Sequence, residues 1–142
     1  MKASVSRALS ERRLECSTAE WGYDSKFVGY NFSRRDLDPS DVRDALAVVE
    51  IALRPCPPAI VDQELLRLKI LTKSQALNAE EVALQAAVYT QQLSAYPEDV
   101  VVDVLRCWRA REKWWPAWAE LQELIDARMK RRIALRDALA RR

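Results

Sequence analysis

Only two of the 142 residues are glycine, Gly22 and Gly29. Glycine is the residue that adopts positive φ at little cost, so tight hairpin turns and phosphate-cradling loops are disfavoured along nearly the whole chain. The abundant residues are Ala, Leu, Arg and Glu, all strong helix formers. The six prolines fall between apolar stretches rather than inside them, where they punctuate helices. These features predict an all-α chain. Hydrophobic residues make up 49% of it, enough for a packed core, so a disordered chain is excluded.

The helix boundaries can be read residue by residue. Asp38 is a cap, Pro39 suits a first helical position, and Asp41 places negative charge in the first turn. Val42, Leu46, Val49 and Leu53 follow at spacings of four, three and four, one apolar stripe that ends at Pro55, Pro57 and Pro58. From Ile60 to Leu71 the apolar residues are so dense that the spacing predicts a helix buried on more than one side. Residues 72–78 form a polar break. Asn78 with Glu81 resembles a capping box opening a helix through Val82, Tyr89 and Leu93. Tyr96-Pro97 ends it, and Glu98 and Asp99 start another that carries Val100, Val101, Val104, Leu105 and Trp108. Arg109–Lys113 reads as a charged link. A last helix then runs from about Pro116 to Leu139, with Trp118, Leu121, Ile125 and Met129 as its stripe. The expected architecture is a bundle of five or six helices over residues 38–142.

Residues 1–37 are expected to form a separate N-terminal arm. Val5–Leu14 suits a short helix. Trp21, Tyr23, Phe27, Tyr30 and Phe32 follow without a clean period beside both glycines. That pattern fits an irregular or short extended piece laid over the core, and also an arm that grips a partner.

Several chemistries lack their residues. There is no histidine, the commonest general acid–base at neutral pH. Cys16, Cys56 and Cys107 are far apart, which suits reduced thiols of a cytoplasmic protein better than a disulfide framework or a zinc site. No glycine-rich phosphate loop and no calcium-loop spacing is present, so no cofactor or metal is expected. The carboxylate pairs Glu80/Glu81, Glu98/Asp99 and Glu120/Glu123 are accounted for by helix first turns and a polar helix face. No apolar run resembles a signal peptide or a membrane span. The chain therefore reads as a binding protein rather than an enzyme.

Two features are candidates for binding. Trp108, Trp114, Trp115 and Trp118 crowd one helix–helix corner. Trp108 and Trp118 lie on apolar stripes, whereas the adjacent Trp114 and Trp115 point different ways, which makes one of them a contact residue. The second is charge. The net +2 divides into +2 over residues 1–37, −6 over 38–127 and +6 over 128–142. Arg128, Lys130, Arg131, Arg132 and Arg136 thus form a basic end suited to an acidic protein face or to phosphates, although cations at a helix C-terminus also offset its dipole.

The run Leu93…Tyr96-Pro97-Glu98-Asp99-Val100-Val101, then Leu105…Trp108 and Trp115-Pro116-Ala117-Trp118-Ala119-Glu120-Leu121, resembles small prophage-encoded proteins of proteobacteria. More distantly it is similar to the phage helicase loader/inhibitor family. The resemblance covers roughly residues 60–126 and implies an all-helical fold, a cytoplasmic setting in a bacterial host and a replicative hexameric helicase as partner. Residues 1–58 have no counterpart in it. That family's flexible C-terminal segment is matched here by a helical pattern. Two alternatives stand beside this expectation: an anti-CRISPR-like inhibitor of a host defence complex, and a non-specific DNA-binding protein using the basic C-terminal helix.

Overall fold

The computed structural model describes residues 3–18, 22–32 and 37–141. Among them are six helices, α1 (Ala3–Ala8), α2 (Pro39–Ala52), α3 (Pro58–Leu71), α4 (Ala79–Leu93), α5 (Glu98–Arg111) and α6 (Trp118–Ala140), and two strands, β1 (Leu9–Thr18) and β2 (Gly22–Phe32). The helices expected after residue 38 are present. The chain divides into two compact units, 1–52 with 130–142 and 53–129.

In the first unit the short helix stops at Ala8, not Leu14, and the chain continues as β1, paired antiparallel with β2. Scarcity of glycine disfavours such a pair without precluding it, and the other described elements are the six helices of the expected all-α bundle. Both glycines are spent here: Gly22 opens β2, and Gly29 pairs with Arg12 beside a bulge that leaves Val28 as the extra residue. The bulge also explains why the aromatics looked aperiodic. Tyr23, Phe27, Tyr30 and Phe32 pair with Ser17, Arg13, Glu11 and Leu9, one alternating set on both strands once the extra residue is counted. Trp21 lies outside the described residues. In α2, Asp38 Oδ1 accepts from the Ser40 N–H at 2.9 Å, and Val42, Ala45 and Val49 are buried.

The second unit contains a core built from all four of its helices. Val61, Leu65 and Leu68 of α3, Leu93 of α4, Val100, Val101, Val104 and Leu105 of α5, and Leu121 and Ile125 of α6 are buried together with Cys56. Helices α3 and α5 run parallel and are tied at both ends. Before them, the Cys56 N–H donates to the Tyr96 carbonyl at 2.8 Å. After them, the Lys73 N–H donates to the Lys113 carbonyl and the Trp115 N–H to the Lys73 carbonyl, each at 2.7 Å. Helix α4 returns antiparallel beside α3, where Thr90 Oγ1 donates to Asp62 at 2.6 Å. The dense stretch at 60–71 is not buried on several sides, as its composition suggested. Leu66 and Ile70 are 63% and 73% exposed, and Leu71 is exposed too.

One carboxylate is drawn into this core. Glu64 is buried, with Arg67 at 3.0 Å, Arg106 at 3.4 Å and Arg109 at 3.7 Å. A desolvated carboxylate needs such partners, and three guanidiniums supply them.

Candidate functional site

The tryptophan corner is assembled from backbone bonds first. The link between α5 and α6 is short and contains Pro116, which disfavours the helical conformation of Trp115 before it. Residues 113–116 are instead fixed by the two bonds to Lys73, by Trp108 Nε1 donating to the Trp114 carbonyl at 2.8 Å, and by the Tyr89 hydroxyl donating to the Pro116 carbonyl at 2.7 Å. This strand-like pairing of residues 73 and 114 holds the link rigid without using the side chain of Trp114.

The side chains then divide the work. Trp115 is half-buried and meets Tyr89 edge-on, ring centres 5.3 Å apart, while Lys69 Nζ lies 5.4 Å from the Trp115 ring centre. Tyr89 also meets Trp118 edge-on at 5.9 Å. Trp118 Nε1 donates to Gln122, whose amide donates to the Tyr96 hydroxyl. Trp108, Trp115 and Trp118 all pack against the core cluster. Trp114 does not: it is 59% exposed. It stands at an open cleft of about 420 Å³ whose walls include Lys73, Gln75, Gln85, Tyr89 and Trp115. Burial raises the Tyr89 hydroxyl above its ordinary pKa; the Trp115 indole opposes that rise and the charge of Glu120 adds to it. Tyr89 therefore remains a donor to Pro116 well into the alkaline range.

The basic end is more engaged than its composition suggests. Arg128, in the second unit, donates to Asp103 at 2.6 Å, to the Leu124 carbonyl and to Cys107 Sγ. The Arg128 hydrogen bond, more than its charge, lowers the Asp103 carboxyl below its usual value against a small opposing effect of burial. Lys130, Arg131, Arg132 and Arg136 belong to the first unit. Arg132 donates to the Ala52 carbonyl at 2.9 Å and Arg136 pairs with Asp137 at 3.1 Å. Arg131 is exposed and has a partner of its own, and Lys130 is exposed.

Among the carboxylates considered for catalysis, Glu81 is bound up with Asn78 in the α4 cap, and Glu120 accepts from the Ala117 N–H. No group of three or more Cys, Asp or Glu among the described residues is arranged to hold a metal ion. No described helix is long and apolar enough to cross a membrane.

One surface escaped the sequence reasoning. Leu66 and Ile70 of α3 and Leu84 and Val88 of α4 are exposed large apolar residues. A signal was available: no charged residue occurs from Val82 to Pro97. Comparison of the chain with protein-family models, curated proteins and solved structures finds no match in any of the three.

Proposed function

We propose that this chain is a non-catalytic adaptor or inhibitor that binds another protein through the tryptophan corner. The observation that carries this reading is Trp114. A tryptophan buries more apolar area than any other side chain, and solvent exposure of one held on a fixed backbone is unfavourable unless something covers it. Four hydrogen bonds fix residues 113–116, so little ordering entropy opposes docking there. The cleft beside it offers aromatic walls with amide and ammonium groups at the rim, a mixture typical of contact hot spots.

The partner is inferred from the resemblance of residues 60–126 to the phage helicase loader/inhibitor family, which points to a replicative hexameric helicase. The test is size-exclusion chromatography of the purified chain with such a helicase, with and without ATP. Co-elution is expected, together with its loss in Trp114→Ala. Separate elution under both conditions rejects the helicase as partner. DNA binding by the basic end is the weaker reading, because Arg128, Arg132 and Arg136 already spend donors on Asp103, the Ala52 carbonyl and Asp137.

A further inference from the structure

The guanidiniums around Glu64 exceed what one carboxylate can use. Arg67 Nη1 and Arg106 Nη2 both reach Glu64 Oε1, at 3.0 and 3.4 Å, and Arg109 Nη1 lies 3.7 Å from Oε2. Glu64 Oε2 and Arg109 Nη1 are buried, yet neither has a hydrogen-bond partner among the described residues. One anion thus stands against three cations. The Arg67 and Arg106 side chains are each 55% exposed, so part of each planar fork still faces solvent.

The imbalance extends beyond this cluster. From Gln63 to Ala79 the only acid is Glu64, beside Arg67, Lys69 and Lys73. From Val104 to Ala119 the only acid is Glu112, beside Arg106, Arg109, Arg111 and Lys113. The two stretches end together, because α3 and α5 run parallel and the Lys73 N–H bonds to the Lys113 carbonyl. Two helix C-termini offset about one positive charge between them, so most of the excess remains. Residues 53–129 as a whole nevertheless hold nine basic and eleven acidic groups, so the positive region is local. Carboxylates bound it. Glu80 and Glu81 open α4, and Glu120 lies in the first turn of α6, at the same end of the unit. Asp99 lies two turns before Arg106, and Asp103, one turn before it, is taken by Arg128.

We infer that Arg67, Arg106 and Arg109 form a receptor for a carboxylate of an acidic peptide segment. The fork of a guanidinium matches a carboxylate, and Glu64 already shows one held at this place. Glu64 also draws the three side chains toward one point, so less ordering is needed when a ligand arrives. Leu71, one turn beyond Arg67 on the same face of α3, is 61% exposed and offers an apolar contact to the residue beside the acid. A nucleic-acid backbone has no use for that contact. It is also a long polyanion, which would run from this patch onto the bounding carboxylates; a short acidic segment would not. The site is separate from Trp114 and does not depend on the partner proposed for it.

Fluorescence anisotropy of the full chain with dye-labelled hexaglutamate tests this, beside a hexathymidylate oligonucleotide of similar charge. The peptide is expected to bind with a dissociation constant below about 1 mM at about 0.05 M salt, and at least about threefold more weakly at about 0.3 M. Arg67→Gln and Arg106→Gln are each expected to weaken it at least about fivefold. Arg106→Lys keeps a cation for Glu64, which protects the fold, but loses the fork; it is expected to weaken binding at least about twofold. Retention of the far-ultraviolet helical signal checks each variant. Arg136→Gln and Trp114→Ala are expected to leave the affinity within about twofold, which separates this site from the basic end and from the tryptophan corner. Absence of peptide binding overturns the inference. So does binding that Arg106→Gln and Arg106→Lys leave unchanged, or an oligonucleotide held more tightly than the peptide.

Discussion

Glu64 shows most directly how single residues set the behaviour of this protein. Its carboxylate is buried and answered by Arg67, Arg106 and Arg109, so it joins α3 to α5 through charge as well as apolar packing. Glu64→Gln keeps the shape and removes the charge; it is expected to destabilise the fold by about 2 kcal/mol, read from urea denaturation. Nothing in the sequence distinguished Glu64 from exposed glutamates, because its burial depends on where α5 passes. Two thiols give a second expectation. Burial, with a smaller effect from Glu98, raises the Cys56 pKa, and Cys56 Sγ faces the Pro57 carbonyl. Cys107 is only half-buried. Alkylation of the native protein followed by mass spectrometry is expected to label Cys107 well before Cys56. Asp103 supplies a pH dependence. Its carboxyl is held below the ordinary value by Arg128, so its contribution is present above about pH 4 and fades as pH falls further, when the folded form too takes up the proton. Because the pair is largely exposed the effect is small, and Asp103→Asn is expected to flatten the acid limb of the melting temperature slightly.

At the scale of elements, the boundaries were the most legible part of the sequence, because caps and stops are local chemistry. Asp38 and Asn78 cap α2 and α4 as their positions implied, and Pro97 precedes α5. The α4 cap is a variant of the anticipated box: the Asn78 side chain accepts from the Glu81 N–H at 2.8 Å and donates to the Glu81 carboxylate at 3.1 Å. Asn78→Ala is expected to cost about 1 kcal/mol in chemical denaturation. Which face of an element is covered was far less legible. Apolar density along Ile60–Leu71 says that α3 is sticky, but not which neighbours arrive; only Val61, Leu65 and Leu68 of its apolar residues became core. The strands were legible only as a short extended piece, for a related reason. Their register depends on a bulge at Val28, and a single extra residue erases the two-residue period that announces a strand. The tryptophan corner was half legible: adjacency implied that Trp114 and Trp115 diverge, while the bridge from residue 73 that fixes them is a long-range pairing of backbone.

For the molecule as a whole, the division into units carries the clearest expectation. Every residue of the main core cluster, from Cys56 to Ile125, lies within 53–129, as do both backbone ties between α3 and α5. A fragment of residues 53–129 is therefore expected to fold by itself, with a helical spectrum and a cooperative thermal transition. A featureless melt would show that the cluster needs the rest of the chain. Within that unit, Leu105→Ala removes a fully buried side chain and is expected to lower stability by about 3 kcal/mol.

The ties at the two ends of α3 and α5 have a consequence for how such a protein diversifies. They are made by amide and carbonyl groups, which every residue except proline provides in full, so the frame around position 114 is indifferent to what that position displays. Under the role proposed for Trp114, selection is free to exchange the displayed group, and with it the target, while the architecture beneath is inherited unchanged. A lineage under pressure from a changing opponent would then drift fastest at the tip of this corner and slowest just under it. Neighbours in sequence such as Trp114 and Trp115 would keep very different evolutionary clocks.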